Sequence, residues 1–222
     1  MKNIFLFGDS YVHGTGGPQG GWADKIKLSL HRDLYGEDAT DGNCYVYGLG
    51  LPGATTTELL DRFEPELQVR LGTGSAPSET VIVLQSGTND AKAVGSPEGY
   101  ITTPEGFEQT AQALLVAAQK YADCIIVLGL PPVDERKVRP KHNPITGNTS
   151  YSSNGRLKQF EAVWQAACNG NLKTVFIPLH TTVPEAWIDR YLYTDGMHPN
   201  DQGYQWIANQ LEPQLRSKLG DL

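Results

Sequence analysis

The chain has 222 residues, of which 39% are hydrophobic and 19% charged, with 24 glycines and 14 prolines. This is the make-up of one globular domain (1–222) with a substantial core and many turns, and it argues against a disordered or fibrous chain. The formal net charge of -7, from 18 Lys+Arg against 25 Asp+Glu, repels phosphate backbones and anionic lipid, so no nucleic-acid partner is expected.

The opening MKNIFLFGDS carries four apolar residues between a polar start and Gly8. A secretory core needs about 7–15. No run approaches the roughly 20 apolar residues of a membrane span, so no integral membrane contact is expected. Cys44, Cys124 and Cys168 are scattered and odd in number, which reads as reduced, buried thiols and a cytoplasmic location. Arg136, Lys137, Arg139 and Lys141 form a basic cluster, read as a solvated loop in preference to a phosphate site.

Along the chain, short apolar runs alternate with helical patterns. Residues 3–7 end at Gly8 and read as the first strand. Trp22, Ile26, Leu30 and Leu34 recur every fourth residue and predict a helix. Residues 44–47 read as a second strand. Thr55 and Glu58 have the spacing of a capping box, ahead of a helical face of Leu59, Phe63, Leu67 and Leu71. Residues 81–84 form a third strand. Thr103–Pro104 then looks like an N-cap followed by proline at the first helical position. Phe107, Ala111, Leu114, Leu115 and Ala118 continue that helix, and 125–128 is a fourth strand. Residues 131–150 show no periodicity and read as an irregular insertion beside an active site. A helix through Leu157, Phe160, Val163, Trp164 and Ala167, a strand at 175–177, and a last helix through Tyr204, Ile207, Ala208, Leu211 and Leu215 complete the pattern. Such alternation predicts an α/β fold with a parallel sheet covered on both faces.

Four loop segments carry chemistry-bearing residues. Gly8-Asp9-Ser10 follows the first strand, where a parallel sheet presents ligand-binding groups. Gly48-Leu49-Gly50-Leu51-Pro52-Gly53 follows the second, and glycine lets a bare backbone N–H approach a ligand. Gly87-Thr88-Asn89-Asp90 follows the third, offering a side-chain amide donor. Asp195-Gly196-Met197-His198-Pro199 precedes the last helix. There an acid three residues before a histidine can accept from one ring nitrogen and leave the other free as a base. Each of the first three segments alone is also what a plain cap or turn would show.

Together, in this order, the four segments resemble the signature blocks of the SGNH (GDSL-type) hydrolase family of esterases and lipases, and the resemblance spans nearly the whole chain. It implies a three-layer α/β/α sandwich with a five-stranded parallel sheet in the flavodoxin-like order 2-1-3-4-5. It implies a nucleophilic Ser10, with Asp195 orienting His198 as its base. Oxyanion donors would be the N–H groups of Ser10 and Gly53 and the side chain of Asn89. The sequence departs from the family pattern at Tyr11, where leucine is usual, and at Gly48 and Pro52, where Asn and Ser are common. The strand order would place Ser10 between Gly53 and Asn89.

The implied activity is hydrolysis of small acyl esters through an acyl-enzyme, by a monomer without cofactor. The same apparatus would serve a carbohydrate O-acetylesterase or an acyl-thioesterase, and a catalytically silent ligand-binding domain would keep the fold. No HExxH, CxxC or EF-hand pattern is present, so no metal is expected. His13, His31, His142 and His180 have no partner at ligand spacing. Gly14 to Gly21 fits neither phosphate-loop spacing and is expected to border the substrate cleft. The absence of GxSxG excludes the nucleophile-elbow class. Asp9 and Asp90 are expected to hold loops. Tyr11, Trp22, Tyr100, Trp187, Tyr191 and Tyr193 either line a pocket or pack the core.

Overall fold

A computed structural model describes residues 2–35, 44–71, 79–144 and 146–219. The elements run β1 (Lys2–Gly8), α1 (Ser10–His13), α2 (Trp22–Tyr35), β2 (Cys44–Gly50), α3 (Thr56–Leu71), β3 (Glu79–Gln85), β4 (Ala93–Val94), α4 (Pro104–Gln119) and β5 (Cys124–Leu128). They continue with α5 (Glu135–Val138), β6 (Lys141–His142), β7 (Thr149–Tyr151), α6 (Asn154–Cys168), β8 (Thr174–Ile177) and α7 (Asp201–Leu219). The five long strands form one parallel sheet in the order β2-β1-β3-β5-β8, which is the flavodoxin-like order.

Side chains alternate across each strand, so both sheet faces are apolar. Phe5, Phe7, Ile82, Leu84, Ile125 and Val127 face one side and meet Leu59, Phe63 and Leu67 of α3, Phe107 and Leu114 of α4, and Phe160 and Trp164 of α6. Ile4, Leu6, Val81, Val83 and Ile126 face the other and meet Trp22, Ile26 and Leu30 of α2 and Tyr204, Ile207 and Leu211 of α7. The helix starts follow their sequence signals. Thr55 N–H donates to Glu58 at 2.7 Å while Glu58 N–H donates to Thr55 Oγ1 at 3.3 Å, a closed capping box. Thr103 Oγ1 accepts from Gly106 N–H at 3.1 Å ahead of Pro104.

The stretch 131–150 departs from its irregular reading. It contains α5, β6 and the start of β7, and β7 pairs antiparallel with both β6 and β4 in a small three-stranded sheet. Strands of two or three residues are too short for alternation to register, and β4 lies about 55 residues upstream of β7 in sequence. The register of the main sheet aligns Gly8 with Gly50 and with Gln85, so the loops leaving β1, β2 and β3 start at one level.

Candidate active site

Ser10 opens the single turn α1 directly after β1. Asp9 caps that turn by accepting from Tyr11 N–H at 3.0 Å, and Gly14, at φ 90°, closes it by donating to Ser10 O at 2.9 Å. The neighbouring β2 end presses close: a Cβ on Gly50 would lie 2.3 Å from the His13 nitrogen, so only glycine fits.

His198 Nε2 lies 2.9 Å from Ser10 Oγ, and His198 Nδ1 lies 2.6 Å from Asp195 Oδ2. Asp195 Oδ1 accepts from the N–H groups of Met197 (2.9 Å) and His198 (3.0 Å), so the acid folds back over its own loop. Burial would raise the Asp195 carboxyl, but the bond from the His198 ring and the two backbone N–H bonds outweigh it and hold the group well below the usual carboxylate range. An ionised carboxylate only accepts, which places the ring proton on Nδ1 and leaves Nε2 to accept from the serine hydroxyl. Tyr11 ties the two segments together. Its hydroxyl donates to Met197 O at 2.7 Å, and its ring meets His198 edge-on at 5.8 Å. The glycine-rich loop runs close to the histidine: a Cβ on Gly16 would lie 3.1 Å from His198 Cβ.

Asn89 is buried in the loop after β3. Its Nδ2 donates to Ala54 O at 2.9 Å and to Asp9 Oδ2 at 3.2 Å, which links the loops after β1, β2 and β3. Gly53 adjoins Ala54 and adopts φ 85°, the left-handed conformation that favours glycine. The four sequence segments therefore meet at one edge of the sheet. The arrangement can draw a proton from the Ser10 hydroxyl onto an imidazole steadied by a carboxylate.

Asp9 and Asp90 hold loops as expected. Asp90 accepts from Thr56 N–H (2.8 Å), Thr56 Oγ1 (2.9 Å) and Thr102 Oγ1 (3.1 Å). Burial pushes the Asp9 carboxyl up to about 6, although the Tyr11 N–H and the Lys92 charge oppose it. Sequence reasoning missed two lysines. Lys92 Nζ donates to Asn89 Oδ1 at 2.5 Å, and Lys141 Nζ lies 3.2 Å from Asp195 Oδ2. Lys92 has no motif signal beyond standing three residues after Asn89, and Lys141 was one of four basic residues read as a solvated cluster. That cluster is divided among acids: Arg136 pairs with Asp134 at 2.7 Å, while Lys141 turns to Asp195.

Of the six aromatic candidates, Tyr11, Trp22 and Trp187 are fully buried, Tyr191 is half-buried, and Tyr100 and Tyr193 are exposed. Trp22 Nε1 donates to Gln85 Oε1 at 2.6 Å and Trp187 Nε1 to Pro132 O at 2.9 Å, which satisfies both indoles within the core. The three cysteines are buried free thiols. His142 approaches Thr149 Oγ1 at 3.4 Å, and His180 Nδ1 lies 3.0 Å from Leu130 O. Among the described residues no group of three or more His, Cys, Asp or Glu could hold a metal ion, and no helix is long and apolar enough to cross a membrane.

The model of the GDSL-like Lipase/Acylhydrolase family matches residues 6–206. The chain belongs to this family. It is accordingly a hydrolase acting on ester bonds. No curated protein matches the chain. Among solved structures, this GDSL-like chain is similar to a lipase/acylhydrolase from Enterococcus faecalis, with 21% identity and a TM-score of 0.72 over 98% of this chain and 97% of that one. It is similar to a lipolytic G-D-S-L family protein from Veillonella parvula, with 22% identity and a TM-score of 0.65 over 97% and 100%. It is also similar to Axe2, an acetylxylan esterase from Geobacillus stearothermophilus, with 16% identity and a TM-score of 0.62 over 100% and 94%. At these identities the likeness is one of fold.

Proposed function

We propose that this GDSL-like hydrolase cleaves small carboxylic esters through an acyl-enzyme, with Ser10 as nucleophile, His198 as general base and Asp195 as the acid that orients it. The observation that carries this reading is the unbroken chain from Ser10 Oγ to His198 Nε2 at 2.9 Å and from His198 Nδ1 to Asp195 at 2.6 Å.

A serine hydroxyl is a weak nucleophile at neutral pH and needs an adjacent base. His198 accepts the proton as Ser10 Oγ bonds to the ester carbonyl carbon, and Asp195 stabilises the imidazolium. The carbonyl oxygen gains charge, which the Ser10 and Gly53 N–H groups and the Asn89 amide stabilise. The carbon–oxygen bond to the alcohol then breaks, and His198 returns its proton to the leaving oxygen. Water attacks the acyl-serine by the same route, releasing the acid and restoring Ser10.

The test is labelling with a serine-directed fluorophosphonate, together with hydrolysis of p-nitrophenyl esters of graded length, acetylated sugars and acyl-thioesters. An adduct on Ser10 and turnover lost in Ser10→Ala are expected. Labelling elsewhere, or activity kept in Ser10→Ala, would refute the assignment. The substrate series separates ester from sugar-acetyl and thioester preference.

A further inference from the structure

The amide of Asn89 has two ends of nearly equal shape and opposite chemistry, so packing alone does not fix which end faces the loops after β1 and β2. Its surroundings do. Nδ2 meets two oxygens, Ala54 O at 2.9 Å and Asp9 Oδ2 at 3.2 Å, while Oδ1 meets the Lys92 ammonium at 2.5 Å. An ammonium only donates and a carbonyl oxygen only accepts. Turning the amide over would set NH₂ against NH₃⁺ and oxygen against oxygen, and all three bonds would go.

Lys92 is itself firmly placed. Its N–H donates to Asn89 O at 3.2 Å, and its carbonyl accepts from Ile101 N–H at 3.0 Å. The next residue, Ala93, begins β4, which the small sheet anchors to β7. Burial lowers the Lys92 amine, whereas the Asp9 and Asp195 charges favour the ammonium and Lys141 opposes it.

We propose that Lys92 is a positioning residue for ester hydrolysis: its ammonium locks the Asn89 amide with Nδ2 toward Ala54 and Asp9, the residue before Ser10, and polarises it as an oxyanion donor. This rests on the reading of Asn89 as such a donor. Preorganised donors are effective because they need no reorientation as charge develops. The longer Nδ2 bond, to Asp9, is the one to be shared with the substrate oxygen.

The experiment compares kcat and KM for the wild type, Lys92→Met, Lys92→Gln, Lys92→Arg, Asn89→Ala and Asn89→Ala/Lys92→Met. The substrate is the p-nitrophenyl ester that the wild type cleaves fastest, and thermal melts confirm that each variant folds. Lys92→Met is expected to lower kcat about tenfold, part of the 10²–10³ typical of a whole lost donor, with KM nearly unchanged. Lys92→Arg should recover most of the loss. Lys92→Gln, which keeps a neutral donor, should fall between and serves where the methionine variant does not fold. In the Asn89→Ala background the methionine change should add little, because the residue it acts through is gone. Wild-type kcat in Lys92→Met, or its full loss repeated in the Asn89→Ala background, would overturn the proposal for Lys92 alone. Wild-type kcat in Asn89→Ala would overturn the oxyanion reading as well.

Discussion

The two sides of the site are built differently. Asp9, Ser10, Asn89 and Asp90 are buried, and bonds of Asp9, Asn89 and Asp90 link the loops after β1, β2 and β3, whereas Asp195 and His198 are half-buried on one short segment that folds back on itself. The first side hangs from three adjacent parallel strands whose ends are in register. The second is held by the Asp195 bonds, by Tyr11 and by Lys141. Of the groups proposed to stabilise charge, Ser10 and Asn89 are buried and Gly53 is exposed, while the ring proposed to carry a proton is bonded at both nitrogens. Preorganised donors favour the transition state without reorganisation, and a base must stand within hydrogen-bond reach of the proton it takes.

That contrast is open to attack by substitution. Ser10→Ala and His198→Ala should each lower kcat by about 10⁴ or more, since members of one proton-transfer unit fail together. Adding the two changes should cost little beyond either one, and a multiplicative loss in single-turnover assays would separate them. Asn89→Ala should lower kcat by about 10²–10³ while leaving fluorophosphonate labelling of Ser10 detectable.

Asp9 supplies a stability test of the buried side. Its carboxyl stands at about 6 in the fold against an ordinary 3.8. Between those pH values the unfolded chain releases the proton and the folded chain keeps it, so stability falls as pH rises, by about 3 kcal/mol in all. The contribution is fully present below pH 3.8 and gone above about 6. Asp9→Asn should abolish this window, so the stability of the wild type relative to the variant declines from pH 4 to 6 in urea titrations. A difference that stays flat across the window would contradict it. The smallest effect is expected on the open side. Lys141→Met should lower kcat/KM by about threefold or less, and the loss should fade in high salt, because partly exposed pairs contribute about 0–1 kcal/mol.

Much of the fold was legible in the amino-acid sequence. The order of strands and helices followed from apolar runs such as Val81–Leu84 alternating with four-residue spacings such as Trp22 to Leu34. The caps at Thr55 and Thr103 announced two helix starts. Ser10, Gly53, Asn89, Asp195 and His198 stood out because each lies in a loop motif and the motifs come in a known order. The partners of those residues were hidden. Lys141 reaches Asp195 from β6, whose pairing is set by tertiary contact, and Lys92 meets Asn89 three residues away with no motif or periodicity to mark the pair. The burial of Tyr11 and Trp187 was equally unreadable, because an aromatic in a loop has the same sequence signature whether it lines a cleft or fills the core.

The Tyr11 phenol that donates to Met197 O has a mechanical consequence. It bolts the turn bearing Ser10 to the backbone just ahead of His198, so thermal breathing carries hydroxyl and imidazole along together. The C-terminal segment cannot peel away without first exposing a fully buried ring. On heating, loss of turnover should therefore coincide with global melting instead of preceding it.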